Sequence, residues 1–299
     1  MKRLTSSLLI GLALTLGISN GSLLAQPPAQ FKTFAQWCEN QNQLGEETKH
    51  TIEVLLKVAE TTDCNQANQI LSQKTELVLP GSEIIDINPF SSLTQLTKLF
   101  LSLNQISEIN SLSSLTQLKE LDLSYTEISD ISSLSSLTQL TYLGLNGNQI
   151  SDISPLSSLT QLTDLDLLSN QISNIRPLSS LTQLTEIDLM KNQISDISPL
   201  SSLTRLTELV LWDNQISDIS PLSSLTQLTD LDLRANQISN ISPLLSLTQL
   251  KYLQISKNQI RDISFLSNLN QLEMISLGEN PIEQKVCPLP NQSICDFGE

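Results

Sequence analysis

Leu162-Thr-Asp-Leu-Asp-Leu-Leu-Ser-Asn170-Gln-Ile-Ser-Asn-Ile-Arg-Pro-Leu-Ser-Ser-Leu-Thr-Gln183 decides the fold of this chain, because nearly the same 22 residues recur before and after it. Asparagine returns at Asn104, Asn148, Asn170, Asn192, Asn214, Asn236, Asn258 and Asn280, with Thr126 in the one gap and Ser82 one period earlier. Ahead of each stand paired apolar residues, from Leu77/Leu79 and Leu99/Leu101 to Ile275/Leu277, which makes ten turns.

Each period carries its own folding instructions. The alternating Leu-x-Leu stretch predicts a strand with one buried face. The Asn amide is suited to bonding neighbouring backbone groups where the chain turns and to linking adjacent turns. Two inward isoleucines follow, such as Ile150 and Ile153, and then Ser-Pro-Leu-Ser-Ser-Leu, read as a short tight helix. Pro155, Pro177, Pro199, Pro221 and Pro243 suit its first position, where no backbone donor is needed. A single turn has too little apolar surface to fold alone, so neighbours must stack. The expected class is an α/β solenoid, a right-handed arc with a parallel concave sheet roughly 45 Å long at a strand spacing of ~4.8 Å. Short 3-10 helices cover its convex side, and a helical cap closes its first turn.

This phrase resembles the 22-residue leucine-rich repeat of bacterial internalins and of eukaryotic phosphatase-regulatory subunits. The resemblance covers roughly residues 77–282 and implies a binding module with variable concave positions; it leaves the ligand open.

The flanks complete the organisation. Lys2 and Arg3 precede an apolar run from Leu8 to Ile18, and Ala25 offers a cleavage point before Gln26, so residues 1–25 read as a signal peptide. No Cys marks a lipid-anchoring site, and the apolar run is short for a membrane span. Residues 26–76 are expected to form the cap, with apolar helical faces at Phe31, Phe34, Ala35 and Cys38 and at Ile52, Leu55, Leu56 and Ala59. Asp63 starts a third helix, carrying Ala67, Ile70 and Leu71, with Gln66 as its capping-box partner. Residues 283–299 read as a Pro-containing loop over the last turn. The four cysteines all lie outside the repeats, two at each end, and in an exported chain pair locally as Cys38 with Cys64 and Cys287 with Cys295. No sortase-type sequence or wall-binding module is read, so an anchored role is not expected. The protein is expected to be secreted or periplasmic, monomeric and not inserted in a membrane after cleavage.

Charge narrows the partners. The formal net charge is -15, and becomes -17 once Lys2 and Arg3 are removed. Nucleic acid and anionic lipid are disfavoured. The concave columns lie six, four and two residues before each Asn. They gather Asp164, Asp166, Glu186, Asp188, Glu208, Asp230 and Asp232 into an acidic field, with Val210 within it. Beside it, Leu168, Met190 and Trp212 on successive turns form an expected exposed apolar strip, the kind of surface that anchors a partner. A merely solvated acidic face, copied by duplication, is the competing reading of the carboxylates. The convex Asp130, Asp152, Asp196 and Asp218 belong to the repeat phrase and read as structural.

No cofactor, metal or catalytic residue is expected. His50 stands alone, no zinc or Ca2+ loop spacing occurs, and the carboxylates are expected on an open face with nothing to raise the pKa of one of them. The expected function is non-enzymatic binding of a protein with a basic, partly apolar surface on the acidic concave face. A cell-envelope carbohydrate binder is the alternative, weakened by the scatter of Phe100, Tyr142, Trp212 and Tyr252 over distant turns. A phosphatase regulator follows only from the repeat and conflicts with the export signal.

Overall fold

Stacking of identical phrases requires that like residues meet like residues, and this is what the computed structural model, describing residues 31–298, shows. The signal-peptide expectation lies outside the described residues. In the turn quoted above, Leu162, Leu165, Leu167, Ile172, Ile175, Leu178 and Leu181 all point into one continuous core and are essentially inaccessible. Each such side chain contributes roughly 1.5–3 kcal/mol when fully buried.

The strands are β1 (Glu76–Val78), β2 (Lys98–Phe100), β3 (Glu120–Asp122), β4 (Tyr142–Gly144), β5 (Asp164–Asp166) and β6 (Glu186–Asp188). They continue as β7 (Glu208–Val210), β8 (Asp230–Asp232), β9 (Tyr252–Gln254), β10 (Met274–Ser276) and β11 (Cys295–Asp296). All are parallel and ordered as in the chain, forming one unclosed sheet. Register follows the repeat, so that Leu165 lies beside Leu143 on one side and Ile187 on the other. On the opposite side each turn carries a short 3-10 helix such as Ser154–Ser158, with Pro155 as its second residue rather than the expected first, still ahead of the first internal hydrogen bond.

The asparagines hold the two faces together. Asn192 donates from Nδ2 to Leu167 O of the preceding turn at 3.0 Å and to Leu189 O of its own at 3.1 Å. Its Oδ1 accepts from Ile172 N at 3.0 Å. Thr126, in the gap between the asparagines, keeps part of this set through Leu123 O and Asn148 Oδ1. The residue just before the Asn position adopts a left-handed backbone in turn after turn, as at Ser169, Lys191 and Asp213.

Serine and threonine add a second set of links between turns. Ser180, Ser202, Ser224 and Ser246 donate from Oγ to the carbonyls of Ser157, Ser179, Ser201 and Ser223, at 2.8–2.9 Å. Thr163 and Thr185 donate to Thr141 O and Thr163 O at 3.0 Å. A thin convex layer with little apolar bulk is thereby tied along its length by hydrogen bonds.

Helices α1 (Phe34–Glu39), α2 (Glu46–Val58) and α3 (Cys64–Leu71) cover the first turn. Phe34, Cys38, Ile52, Leu55, Ala67 and Leu71 join the core. His50 meets Ser82 O at 2.9 Å, a structural contact within the cap. Asp63 caps α3, accepting from Gln66 N at 2.8 Å. The reciprocal half of the expected capping box is not made: Thr61 Oγ1 accepts from Asp63 N and donates to Gln66 Oε1. Cys38 is bonded to Cys64 and Cys287 to Cys295. In the chain-entropy model the longer of these loops is worth about 3.5 kcal/mol. The far end is more than the expected loop, because Cys295–Asp296 pairs with β10 as an added strand. An edge that would otherwise leave backbone groups open is covered by the stapled segment.

Candidate concave binding surface

Parallel strands in exact repeat register place like side chains side by side. Asp164 pairs with Glu186 and Asp166 with Asp188, Glu186 with Glu208, and Glu208 with Asp230. Adjacent strands are ~4.8 Å apart, so carboxylates here repel one another at close range. Asp164, Asp166, Glu186, Asp188, Glu208 and Val210, with Tyr142 and Ile187, line a single depression on the concave face. Asp230 and Asp232 lie on the next strand, beyond that lining.

The electrostatics follow from this crowding. Burial, with Glu186, Asp166 and Glu208 nearby, pushes the Asp164 carboxyl up to about 6. Asp188 is likewise pushed up to about 6, first by burial and then by Asp166, Asp232 and Glu208, although the Met190 N–H opposes this. Burial also raises Asp166 and Glu208 above the ordinary carboxylate range. The Tyr142 hydroxyl is pushed up to about 12 by burial and by the surrounding carboxylates of Asp122, Asp166, Asp164 and Glu120. The expectation that nothing on this face would raise a carboxyl is therefore corrected: the depression is deep enough to desolvate its walls. These acids are raised together, whereas acid–base catalysis needs two groups pushed apart.

Some carboxylates also brace the backbone. Asp122, Asp188 and Asp232 each accept from the N–H two residues on, at Ser124, Met190 and Arg234, over 2.8–3.0 Å. Asp166 accepts instead from Asn146 Nδ2 at 2.9 Å. This role in the middle concave column was missed in the sequence, where the same positions read only as surface charge.

Two expected features change. Asp232 is not an unpaired member of the field. Arg234 Nη2 meets its Oδ2 at 2.6 Å and Nε lies 3.0 Å from both oxygens, leaving the Asp232 side chain only 7% exposed. Among the described residues, no ion pair within 4.0 Å involves Asp164, Asp166, Glu186, Asp188, Glu208 or Asp230. The strip of Leu168, Met190 and Trp212 is half-buried rather than exposed. The Arg234 guanidinium carbon lies over the Trp212 ring, 4.4 Å from the ring centroid, and Lys191 Nζ stands 5.8 Å from the same centroid. Long cationic side chains cover its ring with their stems and charge. Larger exposed apolar groups lie elsewhere: Leu103, Tyr125 and Val78 are 63%, 50% and 51% exposed.

Chemically, the depression offers an uncompensated negative charge bordered by an aromatic ring. Among the described residues, no group of three or more His, Cys, Asp or Glu side chains is placed to hold a metal ion. Likewise, no helix among them is long and apolar enough to cross a membrane.

Comparison with known proteins places this geometry. A family model described as leucine-rich repeats in two copies matches residues 116–158, 138–176, 160–202 and 204–246, and a second leucine-rich-repeat model matches 226–282. An internalin, inlF, from Listeria monocytogenes is 36% identical with a TM-score of 0.51, over 77% of this chain and 82% of that one. Internalin C2 of the same organism is 30% identical with a TM-score of 0.54, over 74% and 89%. The functional domain of InlJ from Listeria monocytogenes, which includes a cysteine ladder, is 26% identical with a TM-score of 0.64, over 84% of this chain and 57% of that one. Here the cysteines sit at the two ends and form no ladder. No curated protein sequence matches.

Proposed function

The chain belongs to the leucine-rich-repeat family, in its internalin-like branch, and on that premise we propose that it is an exported, non-enzymatic module that binds a protein partner in the acidic concave depression. The observation that carries this reading is the set of mutually repelling carboxylates on β5–β7, with Asp164, Asp166 and Asp188 partly buried and, among the described residues, no ion pair to any of them. Such an arrangement opposes the stability of the free protein and is relieved when a complementary cation enters. The partner surface is therefore basic, with apolar groups near Val210 and the half-buried Trp212. Two disulfides support a secreted or periplasmic location after removal of residues 1–25.

The test is chemical cross-linking and pull-down from the native envelope and medium, comparing the mature protein with a Glu186→Lys/Asp188→Lys variant. A basic partner held by the wild type, released by salt, and lost by a variant with unchanged circular dichroism supports the reading. Equal capture by both proteins overturns the assignment of the site.

A further inference from the structure

Leu103 and Tyr125 occupy the same place in adjacent turns, immediately before Asn104 and Thr126, and just past the concave strands. Both have left-handed backbones, with φ of 60° and 56°. A bulky side chain is rare in that conformation, because its Cβ crowds the following carbonyl. The equivalent positions elsewhere are small or polar: Gly81, Gly147, Ser169, Lys191, Asp213, Ala235, Lys257 and Glu279. Neither exception is compensated by burial, since the two side chains are 63% and 50% exposed. Backbone strain and exposed apolar surface coincide on two neighbouring turns.

Their surroundings extend this apolar edge. Gly147 holds the same place in the next turn, and a Cβ there would fall 2.5 Å from Cδ1 of Tyr125, so the tyrosine ring occupies the space glycine leaves. On the sheet, Val78 is paired in register with Phe100, and the Phe100 ring lies 6.1 Å from that of Tyr142. Tyr142 in turn lines the acidic depression. On the sheet leading into these turns, one aromatic pair thus runs from the Val78–Phe100 row to the depression, with Lys98 Nζ 5.5 Å from the Phe100 ring.

We propose that Leu103 and Tyr125 form a second anchor of the concave interface, covered by an apolar cluster on the same protein partner whose basic segment enters the depression. This rests on the proposed function, and charge complementarity commits the occupant: the partner must be cationic where it meets β5–β7 and apolar where it meets this edge. From Asp166 to Tyr125 the path crosses two strand spacings and three residues of rise, about 14 Å in all. An extended segment spans that distance with roughly 4–5 residues.

The test uses synthetic probes. One is hexalysine; two others carry a Leu-Trp pair joined by a five-residue Gly-Ser spacer, at the amino or the carboxyl end. Titrations compare wild type, Leu103→Asn/Tyr125→Asn and Glu186→Gln/Asp188→Asn. Asparagine tolerates the left-handed backbone, so the first variant folds with Tm unchanged or raised. The wild type is expected to bind one tailed probe about 10-fold more tightly than hexalysine, as one desolvated apolar anchor gives. Leu103→Asn/Tyr125→Asn loses that advantage and keeps its hexalysine affinity, while Glu186→Gln/Asp188→Asn weakens binding of all three. Equal binding of tailed and plain probes by the wild type overturns the second anchor and leaves the depression standing. If no probe binds, the proposed function fails and the anchor with it. A fall in Tm of the Asn variant makes these residues structural supports. Self-association of the wild type that the variant abolishes makes a second copy the occupant; either result overturns the proposal.

Discussion

Asp188 and Asp196 belong to the same turn, and their surroundings shift the two carboxyls in opposite directions. On the concave strand, burial and neighbouring carboxylates push Asp188 up to about 6. On the convex side, Asp196 is held below the ordinary range by the Ser198 hydroxyl and backbone N–H, the latter at 2.9 Å. Asp130 and Asp262 behave as Asp196 does, through Ser132 and Ser264. One residue type, copied around one repeat, accepts from the N–H two residues on at both places, but is crowded by like charges and burial only on the concave face. The acidity of this protein therefore has two origins, and the proposed partner concerns only the concave one.

The largest effect is expected at the residues on which both faces hang. Asn214 donates to Leu189 O and Leu211 O and accepts from Ile194 N, all in the buried seam. Asn214→Ala leaves those backbone groups unpaired and should cost about 3 kcal/mol in urea unfolding. A loss under 1 kcal/mol would show that the faces are held together by packing alone.

The contrast also predicts the pH profile. Concave carboxylates with raised folded-state pKa take up protons on folding, so their destabilisation is present above about 6 and is relieved as pH falls toward the unfolded value near 4. Convex carboxylates with depressed pKa stabilise above that unfolded value and lose this as pH falls below it. Thermal stability should therefore peak near pH 4–5, below neutrality, as measured by calorimetry across pH 3–8. A profile flat from pH 5 to 8 would remove the concave repulsion from consideration. Asp188→Asn sharpens the point: it keeps an acceptor for Met190 N and should gain about 1 kcal/mol at pH 7, after allowing for solvent screening. That gain should vanish near pH 4.

Legibility in the sequence divides along the same line. Strands, inward leucines, the Asn seam and the local disulfide pairs follow from period and position, since one turn determines its neighbour's register. What escaped the sequence depends on how side chains from successive turns meet in space. The fork of Arg234 onto Asp232 and its cover over Trp212 join residues whose columns read as independent. The half-burial of Leu168 and Met190 follows from their place at strand ends, where a strict in-or-out alternation stops holding. The left-handed residue before the seam gave a visible signal in Gly81 and Gly147, but Leu103 and Tyr125 obscured it. Strand β11 is too short to carry a period of its own.

The smallest effect tests the convex half of the contrast, and the repeat already contains its control. Asn174 and Asn240 stand where other turns carry Asp, and accept from Arg176 N at 3.2 Å and Ser242 N at 3.0 Å. Charge is therefore dispensable at this place, whereas an acceptor is retained. Asp196→Asn should change stability at pH 7 by less than about 0.5 kcal/mol, as for an exposed substitution that keeps its hydrogen bond. Below pH 4 the variant should lose less stability than the wild type, because its acceptor no longer protonates. Asp196→Ala removes the acceptor and should cost more than Asp196→Asn at neutral pH. If the two variants are equally stable there, the turn does not depend on this bond, and the convex aspartates are as much solvated surface as any other exposed charge.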